Sequence, residues 1–286
     1  MTVYLNGTFM PLAEASISPL DRGFLFGDGV YEVIPAYAGK LFRIDQHLDR
    51  LQNSLEGIRL QNPYSHQQWK AILNELLEHQ PFDNHSIYLQ VTRGADSKRD
   101  HSFPKNISPT VFIMSTELKT GEVATYHDGV CAITREDNRW QNCDIKAITL
   151  LANILLRQQA TDESCAETIL THDGHVVEGA ASNVFIVEFG IIKTPGENQQ
   201  MLTGITRDLV LEIAALEDIE AIESPISTNE LFAADEVWLT SSTKEILPVT
   251  HIDGKAIGQG KPGPMWQNMI NLYADYKRKL VAGEID

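Results

Sequence analysis

Apolar residues follow two different spacings along this chain, and each spacing predicts a different kind of element. Spacings of three and four residues are typical of helices with one buried face. They predict helices at 45–58, 67–79 and 144–156, and a fourth helix that begins within 202–207 and ends at Leu216. Short apolar or alternating runs predict strands at 3–5, 8–10, 30–34, 86–92, 110–115, 130–134, 167–171, 176–179, 183–188, 191–194 and 236–240. The mixture predicts an α/β (mixed α+β) fold.

The length and the charge of the chain limit its domain number and its partners. A chain of 286 residues is long enough for two modest domains that each bury a core. A glycine among charged residues at 117–122 marks the expected boundary, which predicts an N-terminal α/β domain at 1–120 and a C-terminal α/β domain at 121–286. The formal net charge of −16 disfavours binding to nucleic acid or to an anionic membrane.

The cysteines and the N-terminus indicate the compartment. The three cysteines, Cys131, Cys143 and Cys165, are odd in number and lack the spacing of metal ligands. They predict a reducing cytosol, no disulfide framework and no metal site. The N-terminal residues contain neither a basic segment nor a long apolar run, so we expect no signal peptide, no membrane span and a cytoplasmic location.

Lys146 is the candidate catalytic residue. Asp144 is a good N-cap, and with a helix beginning there Lys146 falls in its first turn. The positive end of a helix dipole disfavours a protonated amine, and a neutral amine is the form that attacks an aldehyde. A solvated lysine is the commoner arrangement at a helix start. Lys146 alone therefore does not indicate catalysis, and its role depends on the other candidate residues of the chain.

The second half of the chain adds an acid and a possible phosphate site. Glu178 interrupts an apolar strand, where a carboxylate requires either water or a cationic partner such as a protonated ring nitrogen. Gly204 precedes a helix whose first N–H groups are suited to an anion, although every helix start has such groups. The hydroxyl-rich loop 241–244 follows a strand and would either complete a phosphate site or form an ordinary turn.

The first half adds candidate substrate contacts. Tyr31 and Val33 lie on one face of a predicted strand, which suits either the core or a pocket for a small side chain. Arg50 lies at the edge of a helical apolar face, where its guanidinium would reach either water or a phosphate. Arg99 and His101, two residues apart in a basic loop, would point the same way and could bind a carboxylate.

Four segments resemble signature segments of the class IV pyridoxal-phosphate-dependent aminotransferases, which have fold type IV. They are Asp-Ile-Lys at 144–146, Val-Glu-Gly at 177–179 with Ser-Asn-Val-Phe at 182–185, Gly-Ile-Thr-Arg at 204–207 and Phe-Gly-Asp-Gly-Val-Tyr-Glu at 26–32. The resemblance extends from the N-terminus to the turn at 253–255. Within the family, the chain is most similar to the members that transaminate D-amino acids, because Tyr31, Val33, Arg99 and His101 match residues with which they hold the substrate.

The resemblance implies a homodimer of two-domain subunits, with pyridoxal 5'-phosphate in the cleft between the domains. It implies Lys146 as the catalytic Schiff-base lysine and Glu178 beside the pyridine nitrogen. The other implied cofactor-binding residues are Arg50, Ile205, Thr206, Ser242 and Thr243. The implied substrate-binding residues are Tyr31, Val33, Arg99 and His101, of which the last two reach in from the partner subunit.

The implied reaction converts D-alanine and 2-oxoglutarate to pyruvate and D-glutamate. A branched-chain L-amino acid aminotransferase, an (R)-amine transaminase or an aminodeoxychorismate lyase of the same fold stays open, as does a binding protein that has lost the reaction. Ala180 and Ala181 stand where the compared family member has serines, so any hydroxyl contact with the cofactor is lost there. Lys98 adds charge beside Arg99 and favours dicarboxylic substrates.

Overall fold

The computed structural model describes residues 1–119 and 128–285, which group into two compact units. The first unit contains Met1–Lys119 and Ile145–Leu150, and the second contains 128–144 and Leu151–Ile285. The predicted boundary between residues 120 and 121 lies outside the described residues. The division into domains 1–120 and 121–286 therefore stays a prediction.

The first unit is built on an antiparallel sheet. Its strands are β1 (Thr2–Leu5), β2 (Thr8–Pro11), β3 (Gly29–Tyr37), β4 (Lys40–Leu41), β5 (His85–Thr92) and β6 (Thr110–Glu117). Among the described residues they form one six-stranded sheet in the order β2-β1-β6-β5-β3-β4. Strand β3 pairs with β5 from Gly29 opposite Thr92 to Ala36 opposite His85, and β5 in turn pairs with β6 at the centre of this sheet.

Among the described residues, three α-helices accompany this sheet, namely α1 (Arg22–Phe26), α2 (Ile44–Gly57) and α3 (His66–Glu78). The bounds of α2 and α3 agree within one residue with the helices predicted at 45–58 and 67–79. Helix α2 buries Leu48, Leu51 and Leu55, whose spacing of three and four residues predicted this helix. Together with Trp69 and Leu73 of α3, they pack in the apolar core of the first unit.

The segment that carries Lys146 is irregular, with a turn at 143–144 and an isolated β-bridge at Ala147, which corrects the prediction of a helix beginning at Asp144. Helix α4 begins only at Leu151. Residue Ala147 bridges to Val30 of β3, and the Ile145 side chain packs against the core of the first unit. Pairing with β3 and burial of Ile145 thus override the helical spacing, since local propensity is weak compared with tertiary packing. Lys146 consequently groups with the first unit rather than with the second domain to which the sequence assigned it.

Two glycines leave room for this segment. Gly27 ends α1 in the left-handed conformation at φ 67°, and a Cβ at this position would collide with Thr149. A Cβ on Gly57 would come within 2.8 Å of the Ile145 side chain. The glycine-rich stretch 23–29 therefore owes part of its composition to the close approach of the Lys146 segment.

The second unit is built on a mixed sheet. Its strands are β7 (Val130–Glu136), β8 (Glu167–His172), β9 (His175–Gly179), β10 (Asn183–Glu188), β11 (Ile191–Thr194), β12 (Ala221–Glu223), β13 (Glu236–Ser241), β14 (Glu245–Ile252) and β15 (Lys255–Ala256). In the described part of the chain, the main path runs β12-β11-β10-β13-β14-β7-β8-β9, and β15 pairs with β14. The pairs β14 with β7, β7 with β8 and β11 with β12 are parallel.

The described part of the second unit contains four α-helices, namely α4 (Leu151–Asp162), α5 (Ile205–Leu216), α6 (Thr228–Ala233) and α7 (Pro264–Ala282). Helix α5 buries Leu209, Val210 and Ile213, in agreement with the helix predicted through Leu216. The observed mixture of strands and helices confirms the predicted fold class. None of the described helices has the length and apolar character required to cross a membrane.

A disulfide joins Cys131 to Cys165 in the second unit, which contradicts the expectation of no disulfide. Cys131 lies in β7, and Cys165 lies two residues before β8, which pairs with β7 in parallel. Their Cα atoms are 4.9 Å apart although 34 positions separate them in sequence. Cysteine spacing alone does not reveal a contact made by two parallel strands, which is why the sequence analysis missed it. Cys143 is a buried free thiol.

Candidate active site

In the first unit, the Lys146 amine lies against an aromatic ring. Its Nζ atom is 4.3 Å from the centroid of the Tyr31 ring, and the Lys146 carbonyl accepts the Tyr31 N–H at 3.0 Å. The backbone N–H of Lys146 donates to Ser54 Oγ of α2 at 3.1 Å. The segment is thus hydrogen-bonded to both β3 and α2, and its amine lies at the face of β3 that carries Tyr31.

Strand β3 presents different residues on its two faces. Tyr31 and Val33 are half-buried, whereas Glu32 between them is completely buried. The alternation agrees with the predicted strand and places Tyr31 and Val33 on the face that remains accessible. Tyr31 also lies beside Tyr88 of β5, with 5.7 Å between the ring centroids.

Glu32 binds the helix residue that the sequence assigned to a phosphate. Its carboxylate accepts from Nε and Nη2 of Arg50, each at 2.8 Å, and from Nδ1 of His47 at 2.8 Å. Burial alone would raise the pKa of Glu32, but Arg50 and His47 outweigh it and hold this pKa well below its ordinary value. Burial has the opposite effect on His47, whose pKa it lowers, because the charged form of an imidazole is the protonated one. Arg50 is therefore a fixed cation on α2 and not a solvated side chain.

In the second unit, Glu178 is buried and ion-paired. Arg139 donates from Nη1 to Glu178 Oε1 at 2.6 Å, and the Leu202 N–H donates to Oε2 at 3.2 Å. Asn183 Nδ2 lies 3.4 Å from the same oxygen. Burial raises the pKa of Glu178 to about 7, although Arg139 opposes this rise. The solvated end of a strand, the simpler alternative for this carboxylate, is wrong because Glu178 is only 4% exposed.

Arg139 is a site residue that the sequence analysis did not identify. It is held by Asp137, which accepts from Nε at 3.0 Å and from Nη2 at 2.8 Å. Nη2 also donates to the Gln200 carbonyl at 3.3 Å. The only available signal was an arginine in an irregular charged stretch after β7, and this signal does not distinguish a buried ion pair from a solvated one.

The start of α5 has the features of an anion site. Gly204 is its N-cap and has no side chain with which to cap the first turn, where Ile205 and Thr206 are buried. A Cβ on Gly204 would collide with the Asn183 amide, so only glycine fits here. Asn183 pairs in register with Thr240, whose Oγ1 is buried and has no hydrogen-bond partner in the part of the chain that the structure describes.

The hydroxyl-rich loop lies at the end of this strand pair. Ser242 and Thr243 form the turn between β13 and β14, where Ser242 is half-buried and Thr243 is exposed. The neighbouring Lys244 is partly buried, which lowers the pKa of its amine. The end of β13 and the start of α5 thus both border Asn183 within the second unit.

The basic loop of the first unit presents Arg99 and His101 at the surface. Both are exposed, and both side chains contact the Phe26 ring, with the Arg99 guanidinium carbon at 4.9 Å from its centroid and the His101 ring centroid at 5.3 Å. Lys98 donates to Asp100 Oδ2 at 3.0 Å. Asp100 therefore partly neutralises the extra charge that led us to expect dicarboxylic substrates.

Comparison with known proteins identifies the family. The model of the class IV amino-transferases matches residues 29–252. The chain belongs to this family, which confirms the relationship inferred from the four signature segments.

Two individual relatives with similar sequences are D-alanine aminotransferases. The chain is 40% identical over 269 residues to a D-alanine aminotransferase of Bacillus licheniformis, covering 94% of each chain. It is 37% identical over 277 residues to a D-alanine aminotransferase of Listeria innocua, covering 96% of each.

Solved structures share the fold. The branched-chain amino acid aminotransferase of T.th., complexed with N-(5'-phosphopyridoxyl)-L-glutamate, superposes with a TM-score of 0.88 at 26% identity, covering 96% of this chain and 93% of that one. The branched-chain aminotransferase of Thermoproteus uzoniensis with norvaline gives a TM-score of 0.85 at 28% identity, covering 100% of this chain and 96% of that one.

Proposed function

We propose that this protein transfers the amino group of D-amino acids to 2-oxo acids with pyridoxal 5'-phosphate as cofactor. D-alanine and 2-oxoglutarate are the expected donor and acceptor. The observation that carries this proposal is the 40% identity to a D-alanine aminotransferase over 94% of both chains. Branched-chain L-amino acid transamination is the second candidate, favoured by the TM-score of 0.88, but the identity to that structure is only 26%.

The residues of each unit suit different parts of the cofactor. In the first unit, Lys146 supplies the amine that binds it covalently and Arg50 supplies a fixed cation. In the second unit, the start of α5, where the N-cap is glycine, and the buried Thr240 hydroxyl suit a phosphate. We propose Ile205, Thr206, Ser242 and Thr243 as the phosphate-binding residues, together with Arg50.

The chain's own residues hold and move the protons of the reaction. When bound, pyridoxal phosphate supplies an aldehyde that condenses with amines and a ring that accepts electrons. Nζ of Lys146 removes the α-proton of the amino acid as a general base and returns it as a general acid. Glu178, in its ionised form, would keep a proton on the ring nitrogen of the bound cofactor. Arg139 favours this ionised form through its 2.6 Å hydrogen bond.

The substrate is oriented by its carboxylate. We propose that Arg99 and His101 bind this group across the subunit boundary of a homodimer, with Tyr31 beside it and Val33 against the side chain. With the carboxylate held there, the α-hydrogen of a D-amino acid points toward Lys146. The homodimer and a cytoplasmic location stay predictions.

A half-reaction tests the substrate class. Holoenzyme is mixed separately with D-alanine, D-glutamate, L-leucine and (R)-1-phenylethylamine, and absorbance follows conversion of the bound pyridoxal form to the pyridoxamine form. We expect the two D-amino acids to convert it, with L-leucine and the amine at least about 100-fold slower, a difference of about 2.7 kcal/mol in activation free energy. Conversion by L-leucine but not D-alanine would favour the branched-chain alternative.

The pH profile tests the pairing of Arg139 with Glu178. Replacing Arg139 with glutamine removes the cation that stabilises the carboxylate, so the pKa of Glu178 should rise. Because the ionised form is the active one, the acid limb of the profile of kcat/KM should move to higher pH, by about one unit.

Arg135→Gln is the matched control, since Arg135 is more exposed and pairs with Glu163 at the edge of the same unit. Its acid limb should coincide with that of the wild type. An Arg139→Gln enzyme whose acid limb does not move would show that this pairing does not govern Glu178.

A further inference from the structure

The loop that carries Arg99 and His101 is hydrogen-bonded through its backbone to a buried arginine, Arg22. Arg22 is only 4% exposed. Its Nη1 donates to the carbonyl of Asp100 at 2.5 Å and to that of Ser102 at 3.3 Å, and its Nη2 donates to the carbonyl of His101 at 3.3 Å. A single guanidinium thus binds three consecutive carbonyls of the loop, which fixes the backbone around both exposed side chains.

Arg22 is itself immobilised by an ion pair. Its Nε donates to Asp28 Oδ2 at 2.7 Å, and Asp28 also accepts from Nε of Arg93 at 2.8 Å and from its Nη2 at 3.0 Å. Burial opposes the charge of Asp28, but the two arginines outweigh it and hold the pKa of this carboxyl below its ordinary value. Arg93 in turn donates to the Ile58 carbonyl at 2.7 Å, which connects the network to the end of α2.

Phe26 contacts the same loop through side chains. Its ring lies against the guanidinium of Arg99 and the imidazole of His101, and the Arg22 guanidinium carbon is 4.9 Å from its centroid. Cation–π contacts of this kind orient long cationic side chains that would otherwise sample many rotamers. Helix α1 therefore contacts the loop in two ways. Arg22 hydrogen-bonds to the loop backbone, and Phe26 packs against the loop side chains.

We propose that Arg22 and Phe26 are positioning residues for the carboxylate-binding pair Arg99 and His101, and that they preorganise this pair before substrate arrives. The proposal rests on the proposed function, which assigns the substrate carboxylate to Arg99 and His101. Preorganisation lowers the entropy lost on binding, so its removal should weaken substrate binding more than it slows the chemical step.

The first test separates KM from kcat. Phe26→Leu and Arg22→Lys should each raise KM for D-alanine about tenfold while kcat changes less than about twofold. Phe24→Leu is the matched control, because Phe24 lies on the same short helix but is 71% exposed. The affinity for pyridoxal phosphate, measured by absorbance titration, should be unchanged in all three variants, which a general loss of structure would not leave intact.

The second test is a double-mutant cycle. Arg99→Ala with His101→Ala deletes the carboxylate-binding pair, and Phe26→Leu is then introduced into that background. If Phe26 acts only through the pair, the added change should alter KM less than about twofold. If Phe26→Leu instead raises KM by the same factor in that background as in the wild type, Phe26 does not act through the pair and its positioning role is overturned.

The third test does not depend on activity. In the cofactor-free protein, Arg22→Lys should increase amide hydrogen exchange in the peptide that covers 99–103 and leave exchange in α2 unchanged, because Arg22 binds the loop backbone directly. Unchanged exchange together with unchanged KM would overturn the role of Arg22. A wild-type enzyme that does not react with D-alanine would instead contradict the proposed function, while a loop loosened in Arg22→Lys would still support the anchoring by Arg22.

Discussion

Replacing Lys146 with alanine should lower kcat with D-alanine by at least about 10⁴-fold, a loss of about 5.4 kcal/mol in transition-state stabilisation. The variant lacks both the amine that binds pyridoxal phosphate covalently and the base that removes the α-proton. Borohydride reduction followed by mass spectrometry provides the direct measurement. The wild type should acquire a pyridoxyl group on Lys146, and the variant should acquire none.

Lys70→Ala is the matched control for the loss of a lysine in the first unit. Lys70 lies at the surface, where its Nζ is 2.7 Å from Asp45. Its removal should leave both kcat and the covalent attachment unchanged, because a solvated ion pair contributes little. A Lys146→Ala enzyme that keeps wild-type turnover would refute the assignment of Lys146.

Elements that follow their own apolar spacing were predictable from the sequence. Leu48, Leu51 and Leu55 recur at helical spacing and are buried in α2, whose limits agree within one residue with the prediction. Tyr31 and Val33 likewise alternate with buried Glu32 as a period of two requires. In both cases the local pattern and the tertiary environment favour the same structure, so the local pattern is sufficient.

The Lys146 segment shows where this agreement fails. Its apolar residues have helical spacing, but Ala147 bridges to Val30 of β3 and Ile145 packs against the core of the first unit instead. Lys146 therefore does not lie at a helix start, where the dipole would favour a neutral amine. The assignment of Lys146 rests on the signature segments and stays a prediction, because a family resemblance indicates the position of a residue without giving its conformation.

Polar contacts between distant positions were not predictable. Arg139 and Glu178 are 39 positions apart and meet only because the stretch after β7 returns beside β9. The contact of Cys131 with Cys165 is hidden from the sequence for the same reason. A single sequence reveals the residue types that such contacts need, whereas the fold selects which of them meet.

The position of Glu178 leads to the second large effect. Glu178→Gln should lower kcat/KM with D-alanine by about 10²- to 10³-fold, which corresponds to about 2.7–4 kcal/mol. Glutamine preserves the size of the side chain but carries no charge, so it cannot hold a proton on a facing ring nitrogen. It also leaves the buried cation of Arg139 with Asp137 as its remaining charged partner.

Two variants separate this loss of charge from a loss of stability. Glu236→Gln removes another buried carboxylate of the second unit, one that accepts the N–H groups of Met265 and Trp266 at 2.9 and 2.8 Å. It should lower the melting temperature by a few degrees without a comparable effect on kcat/KM. Glu178→Asp keeps the charge and should retain more activity than Glu178→Gln. Equal losses in Glu178→Asp and Glu178→Gln would mean that the shape of the side chain, rather than its charge, is what the reaction requires.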